Sequence, residues 1–353
     1  MTKSPFFNLQ VELNDICNLE CKHCYQIRSK VKDELDINII LNQIEDLKKV
    51  TGYDKFFFRL SGGEATLRKD LFKVIRKIIS QGHLVELMTN GTFLDLSYVY
   101  ALKASGVNIC QVSMDGSTSE IHEYIRGKNS YDKTIKGIKN LVKVGIPTEI
   151  KFTIIKGVNT DDIRNMFQLC SDLGVKYVSL ARFILAGNGI TNFAESNLIG
   201  QEMRDVFYKI IDEGKKFPEL EIRVRDQLAR IVSLEYKDIP QNIHLNQRVY
   251  VGNSYLAFDT YGNVYADRQL DIVIGNIHQQ KLESIWSQNE KLDKLKWNKN
   301  NLQGKCINCN INELCMGGNK TASYTFTGNP FTPDPGCWHY EKVLADSSLV
   351  NKV

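Results

Sequence analysis

The chain has 353 residues, room for one large domain and a smaller one. Its 42% hydrophobic and 24% charged residues are those of an ordinary globular protein, and a net charge of +4 is too slight for a concentrated nucleic-acid-binding face. No apolar run is long enough to span a membrane, Met1 to Pro5 does not read as a signal peptide, and an odd count of nine cysteines argues against a disulfide framework; a cytoplasmic protein with no membrane and no nucleic-acid partner is expected.

In chain order, a short strand is predicted over 6–13, ended by polar Asn14 and Asp15. Ile37, Ile40, Leu41, Ile44, Leu47 and Val50 fall at helical spacing, which predicts a helix over 36–52 with Gly52 as its stop. Strands follow at 56–60, 84–89, 108–114, 148–155 and 177–184, and helices at 69–80, 96–105, 131–144 and 160–173. Strand and helix thus alternate about six times, which means βαβ units and a parallel sheet. Right-handed crossovers coil such a sheet, but six units are too few for a closed eight-strand barrel. The expected fold is α/β, a six-stranded (β/α)6 partial TIM barrel, with its site on the rim at the strands' C-terminal ends.

After Gly187 the pattern changes. Helices are predicted over 197–217 and 226–236, with a short strand at 221–224 between them. Strands at 255–258 and 264–266 flank Thr260-Tyr261-Gly262-Asn263 as a hairpin, and a helix follows over 282–295. The segment 304–338 is loop-like. The expected division is a core over 1–190, a helical connector over 191–249 and a small loop-rich domain over 250–353.

The chemistry-bearing residues gather after strands. Cys17, Cys21 and Cys24 form C-x3-C-x2-C directly after the first strand. Thiolates bind soft metals, and an iron–sulfur cubane takes four, so three on one loop leave one iron open to another ligand. A zinc site completed by His23 is the competing reading. Ser61-Gly62-Gly63-Glu64 follows the second strand, where glycines let the backbone approach a ligand. Asn90 ends the third strand, and Ser113-Met114-Asp115-Gly116 the fourth; as isolated dipeptides these are turns, but they recur on successive strand ends. His122 and Arg126-Gly127 read as positional, and Arg182 ends the sixth strand with a fork suited to a carboxylate. Cys110 and Cys170 read as buried structural thiols. Cys306, Cys309, Cys315 and Cys337 make a second, four-thiol set; zinc or a second iron–sulfur cluster fits that spacing.

These motifs together resemble the radical S-adenosylmethionine (SAM) superfamily, over about residues 8–185, and the SPASM/twitch extension of that family, over about 250–345. The resemblance implies that Cys17, Cys21 and Cys24 hold a [4Fe–4S] cluster whose open iron chelates SAM, cleaved reductively to a 5′-deoxyadenosyl radical. His23 stands where the family has an aromatic residue, and Ala65 where proline follows the glycine-glycine-glutamate run. It further implies SAM contacts from His23, Gly62, Gly63, Glu64 (to the ammonium), Asn90, Ser113, Asp115 and Arg182. In the full extension two auxiliary clusters use seven cysteines. Asp267 and Asn319 occupy two of the first cluster's ligand positions and no cysteine precedes Gly262, while all four ligands of the second remain. One auxiliary [4Fe–4S] cluster on Cys306, Cys309, Cys315 and Cys337 is therefore expected. Family members with this tail modify ribosomal peptides or oxidise tetrapyrroles and sugars; a peptide is the first expectation and a tetrapyrrole or sugar the second. A flavodoxin or ferredoxin would supply electrons. Because the first strand starts near residue 6, a peptide substrate would call for a separate leader-binding protein. A non-enzymatic iron–sulfur or zinc protein is the reading from another class.

Overall fold

Asn8, Gln10 and Glu12 alternate with Phe7, Leu9 and Val11, so the first strand has one polar and one apolar face. The computed structural model, which describes residues 5–26, 34–245 and 252–339, shows the same alternation in the strands that follow. These are β1 (Phe7–Glu12), β2 (Phe56–Ser61), β3 (Leu84–Thr89), β4 (Ile109–Ser113), β5 (Thr148–Ile154) and β6 (Tyr177–Arg182). Their apolar positions, such as Phe58, Leu87, Val112, Phe152 and Leu180, are fully buried in the main core. Cys110 and Cys170 lie there too, as small hydrophobes.

The sheet does not stop at six strands. β7 (Glu221–Val224) and β8 (Ile243–Leu245) add to β6, while β9 (Tyr255–Phe258), β10 (Asn263–Tyr265) and β11 (Val273–Asn276) add beyond β1. Among the described residues the order is β11-β10-β9-β1-β2-β3-β4-β5-β6-β7-β8, eleven strands in one sheet. β1 to β8 pair in parallel, and β9 joins β1 in parallel. β10 pairs antiparallel with β9, as the hairpin prediction required, and β11 adds antiparallel to β10. The six-strand count is thus corrected. The βα rhythm continues weakly past Gly187, through strands of only four and three residues that carry little periodic signal. Side chains from β9 and from β1 through β6 line one cavity, so the sheet is curled, with its polar face inside.

The helices fall close to their expected places, with two informative breaks. The first splits into Ile37–Leu41 and Ile44–Thr51, and the one near 290 splits into Leu282–Ser287 and Glu290–Leu295. Asn289 makes the second break by capping Leu292 N at 3.0 Å. A short helix, Ser119–Arg126, was not foreseen; it carries His122 and Arg126 inward. The C-terminal segment also holds a helix, Lys320–Thr327, capped by Asn319. Among the described residues no helix is long and apolar enough to cross a membrane.

One buried strut ties the C-terminal segment to the core. Arg182, at the end of β6, donates from Nη1 to Asp334 Oδ1 at 2.8 Å and from Nη2 to Asp334 Oδ2, while its Nε meets Asp226 Oδ2 at 2.8 Å. All three side chains are almost fully buried. Removing the cation would strand two carboxylates, so Arg182→Ala should cost about 3–5 kcal/mol of unfolding free energy in a denaturant titration. A loss below about 1 kcal/mol would show that the strut does not hold the two parts together.

Candidate functional site

The cysteine loop is positioned by backbone. Gly63 N donates to Asn14 O and Glu64 N to Ile16 O, both at 2.7 Å, so the loop after β2 runs against the loop after β1. A Cβ on Gly63 would lie 2.3 Å from Ile16 O, and one on Gly62, whose φ is +146°, 2.5 Å from Asn14 O. Glycine is required at both for this approach. Arg68 reinforces the junction by donating to Leu13 O and Leu35 O.

Cys17, Cys21 and Cys24 line one cavity with His23, Gly62, Gly63, Glu64, Asn90, Ser113 and Arg182. Every expected contact but Asp115 therefore reaches the same space. Glu64 is buried, and its Oε1 accepts from Thr66 N, Thr66 Oγ1 and Thr89 Oγ1, its Oε2 from Asn90 N. A carboxylate has about four acceptor sites, so Glu64 chiefly locks the β2 loop to the end of β3, with Oε2 the less committed oxygen. Asn90 donates to Asn18 Oδ1 at 2.9 Å and thereby holds the cysteine loop.

Asp115 is fully buried behind the wall. It meets His23 Nε2 at 3.1 Å and Arg126 Nε at 2.6 Å, and its Oδ1 accepts from Thr153 N. Burial alone would raise its carboxyl, but Arg126 and His23 overcome this and hold it well below the usual carboxylate range. Asp115 thus acts on the cavity through His23 and Arg126, both of which line it. Pinning Nε2 leaves His23 Nδ1 buried with no partner among the described residues. His122 sits beneath, accepting from Asp115 N at 3.4 Å, with burial and Arg126 lowering it to about 4. Arg182 is corrected more firmly: its fork is matched to Asp334 and Asp226, so it is a strut rather than a carboxylate clamp for a ligand.

The second cysteine set is organised by the same Asp334. Its Oδ2 accepts from Asn319 N at 2.7 Å and its Oδ1 from Gly336 N at 2.8 Å. This joins the Cys315–Asn319 turn, where Met316, Gly317 and Gly318 all have positive φ, to the loop that ends in Cys337. Cys306 and Cys315 are buried. Burial, with a smaller contribution from the neighbouring thiols, pushes Cys306 up to about 11 and Cys315 up to about 12. In the first set burial pushes Cys21 up to about 11 against the pull of Arg126. Thiols held up in this way become ligands only when a cation displaces their protons, which is what iron does. Among the described residues no three His, Cys, Asp or Glu groups close on a single-ion site. Asp267 and Asn319 line the cavity; the Asn319 side chain caps the helix over 320–327 and Asp267 Oδ1 accepts from Gln269 N.

Sequence reasoning missed the cavity's polar floor, formed by Gln10, Arg59, Gln111, Lys151, Ser179 and Arg225. The signal was present as polar residues at every second strand position.

A curled parallel sheet with three convergent thiols on its first rim loop defines a class, and comparison with known proteins names it. The pattern of the Radical SAM superfamily matches residues 11–170, and that of the SPASM iron–sulfur cluster-binding domain matches residues 250–310. The chain belongs to the radical SAM superfamily and is an enzyme of that family with a SPASM domain. Its cofactors are SAM and iron–sulfur clusters. It is 28% identical to an AdoMet-dependent heme synthase of Methanosarcina barkeri, over 96% of this chain and 97% of that one. It is 24% identical to the mycofactocin maturase MftC of Mycolicibacterium smegmatis, over 92% of this chain and 81% of that one. In fold it is similar to anSMEcpe with bound AdoMet and the Cp18Cys peptide, with a TM-score of 0.72 and 16% identity over 96% of this chain and 95% of that one.

After anaerobic reconstitution, two [4Fe–4S] clusters correspond to about eight irons per chain. Replacing Cys17, Cys21 and Cys24 together by Ala should leave roughly half of that and abolish SAM cleavage, whereas Asp267→Ala or Asn319→Ala should leave the iron unchanged. Stoichiometric zinc at the C-terminal set, found by elemental analysis, would contradict the auxiliary cluster.

Proposed function

We propose that this radical SAM enzyme oxidises a tetrapyrrole, with Cys17, Cys21 and Cys24 holding the SAM-binding cluster and Cys306, Cys309, Cys315 and Cys337 an auxiliary one. The observation that carries the substrate reading is the end-to-end match to the M. barkeri heme synthase, which spans the core, the connector and the C-terminal domain alike. On this match we take the tetrapyrrole as the first reading and the peptide, first expected from the sequence, as the second. When bound, SAM and its cluster supply one-electron cleavage and hydrogen-atom abstraction from a substrate C–H bond.

The chain's own part is to bind, orient and exclude water. The Gly62-Gly63 backbone, Asn90 and Ser113 form the wall for SAM, and Glu64 Oε2 offers an acceptor to its ammonium. His23 Nδ1 is an unmatched polar atom that a ligand amino group would satisfy. Asp115 and Arg182 position rather than touch: the first orients His23, and the second fixes the auxiliary cysteine loop against the rim. That loop's four thiolates would ligate an auxiliary cluster fully and reserve it for electron transfer from the oxidised substrate. A flavodoxin or ferredoxin is the expected donor at the first cluster.

The second reading, peptide maturation with a separate leader-binding protein, is favoured by the match to MftC. The two part in one assay. With SAM and reduced flavodoxin, Fe-coproporphyrin III should accelerate 5′-deoxyadenosine release and itself lose mass in discrete steps by mass spectrometry. Release that is indifferent to tetrapyrroles but accelerated by a ribosomal peptide would reject the tetrapyrrole in favour of the peptide.

A further inference from the structure

Gln111, on β4, is 3% exposed and lines the cavity. Among the described residues its carboxamide makes no hydrogen bond, although it can donate two and accept two. The polar groups around it are committed. Gln10, on β1, donates from Nε2 to Tyr25 Oη at 3.4 Å and accepts at Oε1 from Tyr255 Oη at 2.8 Å. Arg59 donates to Glu86, and Ser179 Oγ accepts from Arg225 Nε at 3.0 Å. In the sheet Gln111 stands in register with Met88 on β3 and Glu149 on β5. Met88 offers a thioether, a weak acceptor. The two oxygens of Glu149 take Arg223 Nη1 at 3.1 Å and Arg225 Nη2 at 3.3 Å rather than the amide.

Buried polar side chains are as a rule hydrogen-bonded, and one that opens onto a cavity instead is matched by what fills the cavity. Ser113 lies two residues further along β4, about 6.6 Å nearer the rim, and the thiols, the Gly62-Gly63 backbone and Asn90 share that rim. Gln111 thus sits one layer beneath the wall assigned to SAM. It stands on a strand rather than a loop, with both neighbouring strands in register, so its position is fixed before a ligand arrives.

We propose that Gln111 is a substrate-binding residue whose carboxamide hydrogen-bonds an oxygen of the substrate and so sets which C–H bond faces the SAM side of the cavity. The inference rests on reading this cavity as the substrate site of a radical SAM enzyme, and it deepens that reading by naming the group that is held. In an iron-bound tetrapyrrole the oxygens belong to carboxyl groups at the rim of the ring, and the ring nitrogens carry no proton. The amide therefore acts as the donor, from Nε2. A peptide offers both C=O and N–H, so either end of the amide serves. A carboxylate in place of the amide separates the two, because it keeps the acceptor and loses the donor.

The test uses the reconstituted holoenzyme with three probes: Fe-coproporphyrin III, SAM, and an N-acetylated, C-amidated octapeptide of glycine and serine. Gln111→Met, of similar volume, and Gln111→Glu are each checked for fold by circular dichroism. Gln111→Met should weaken the porphyrin by about three- to tenfold, the usual worth of one neutral hydrogen bond, and Gln111→Glu by at least as much. In Gln111→Met the 5′-deoxyadenosine released per porphyrin consumed should rise about twofold or more, as the C–H bond loses its orientation. SAM affinity, measured by calorimetry, should move less than about twofold. Unchanged porphyrin affinity and unchanged coupling in both folded variants would overturn the assignment. So would a fall in SAM affinity alone, which would give Gln111 to SAM. If only the peptide binds wild type, weakened by Gln111→Met and spared by Gln111→Glu, the assignment stands and the tetrapyrrole reading falls. If only the peptide binds and neither variant weakens it, or if neither porphyrin nor peptide binds wild type, the assignment is overturned.

Discussion

The structure hangs on a backbone contact with no side chain in it. The loops after β1 and β2 run so close that Gly63 N and Glu64 N bond directly to Asn14 O and Ile16 O. No Cβ fits between them. This contact fixes the direction in which Cys17, Cys21 and Cys24 leave the sheet. Glu64 then carries the constraint to β3 through Thr89 and Asn90, and Asn90 returns it to the cysteine loop through Asn18. Three strand ends are thereby joined in a closed circuit of short bonds. Such a site is pre-organised: the geometry is set in folding rather than at the moment a ligand binds.

The second constraint is electrostatic. Asp115 and Asp334 are buried carboxylates that each serve two masters. Asp115 orients His23 and Arg126 beneath the first cysteine set. Asp334 organises the second set and meets Arg182 at the end of β6. Burial makes each pair costly to break and weak as a source of net stability, so their value lies in placement.

Much of this was legible in the sequence. Rim positions could be inferred because a βα repeat places each strand's last residues on one edge, and the cysteine spacing, the Gly62-Gly63-Glu64 run and Asn90 fall there. Three things were hidden. β7 and β8 were too short to show a period, so the sheet's extension past β6 was lost. Arg182 looked like a ligand clamp because its partners lie 44 and 152 residues away, and no local pattern announces a long-range ion pair. Asp115 stands two residues past Ser113, where strand alternation would put both on the cavity side, but β4 has ended by then and the chain buries Asp115 behind the wall against His23 and Arg126. The inner polar floor was readable as alternation in Asn8-Leu9-Gln10-Val11-Glu12, yet only the apolar half of that pattern was used.

The central claim is that two cysteine sets hold clusters of different coordination, one open to SAM and one closed. Electron paramagnetic resonance of the reduced protein, with and without SAM, tests it most directly, in wild type and in the Cys306→Ala, Cys309→Ala double variant with its fold verified. The account predicts two cluster signals in wild type, of which SAM shifts one, and it predicts that the SAM-sensitive signal survives in the double variant. Two signals that both shift with SAM, or loss of the SAM-sensitive signal from a folded double variant, would contradict it.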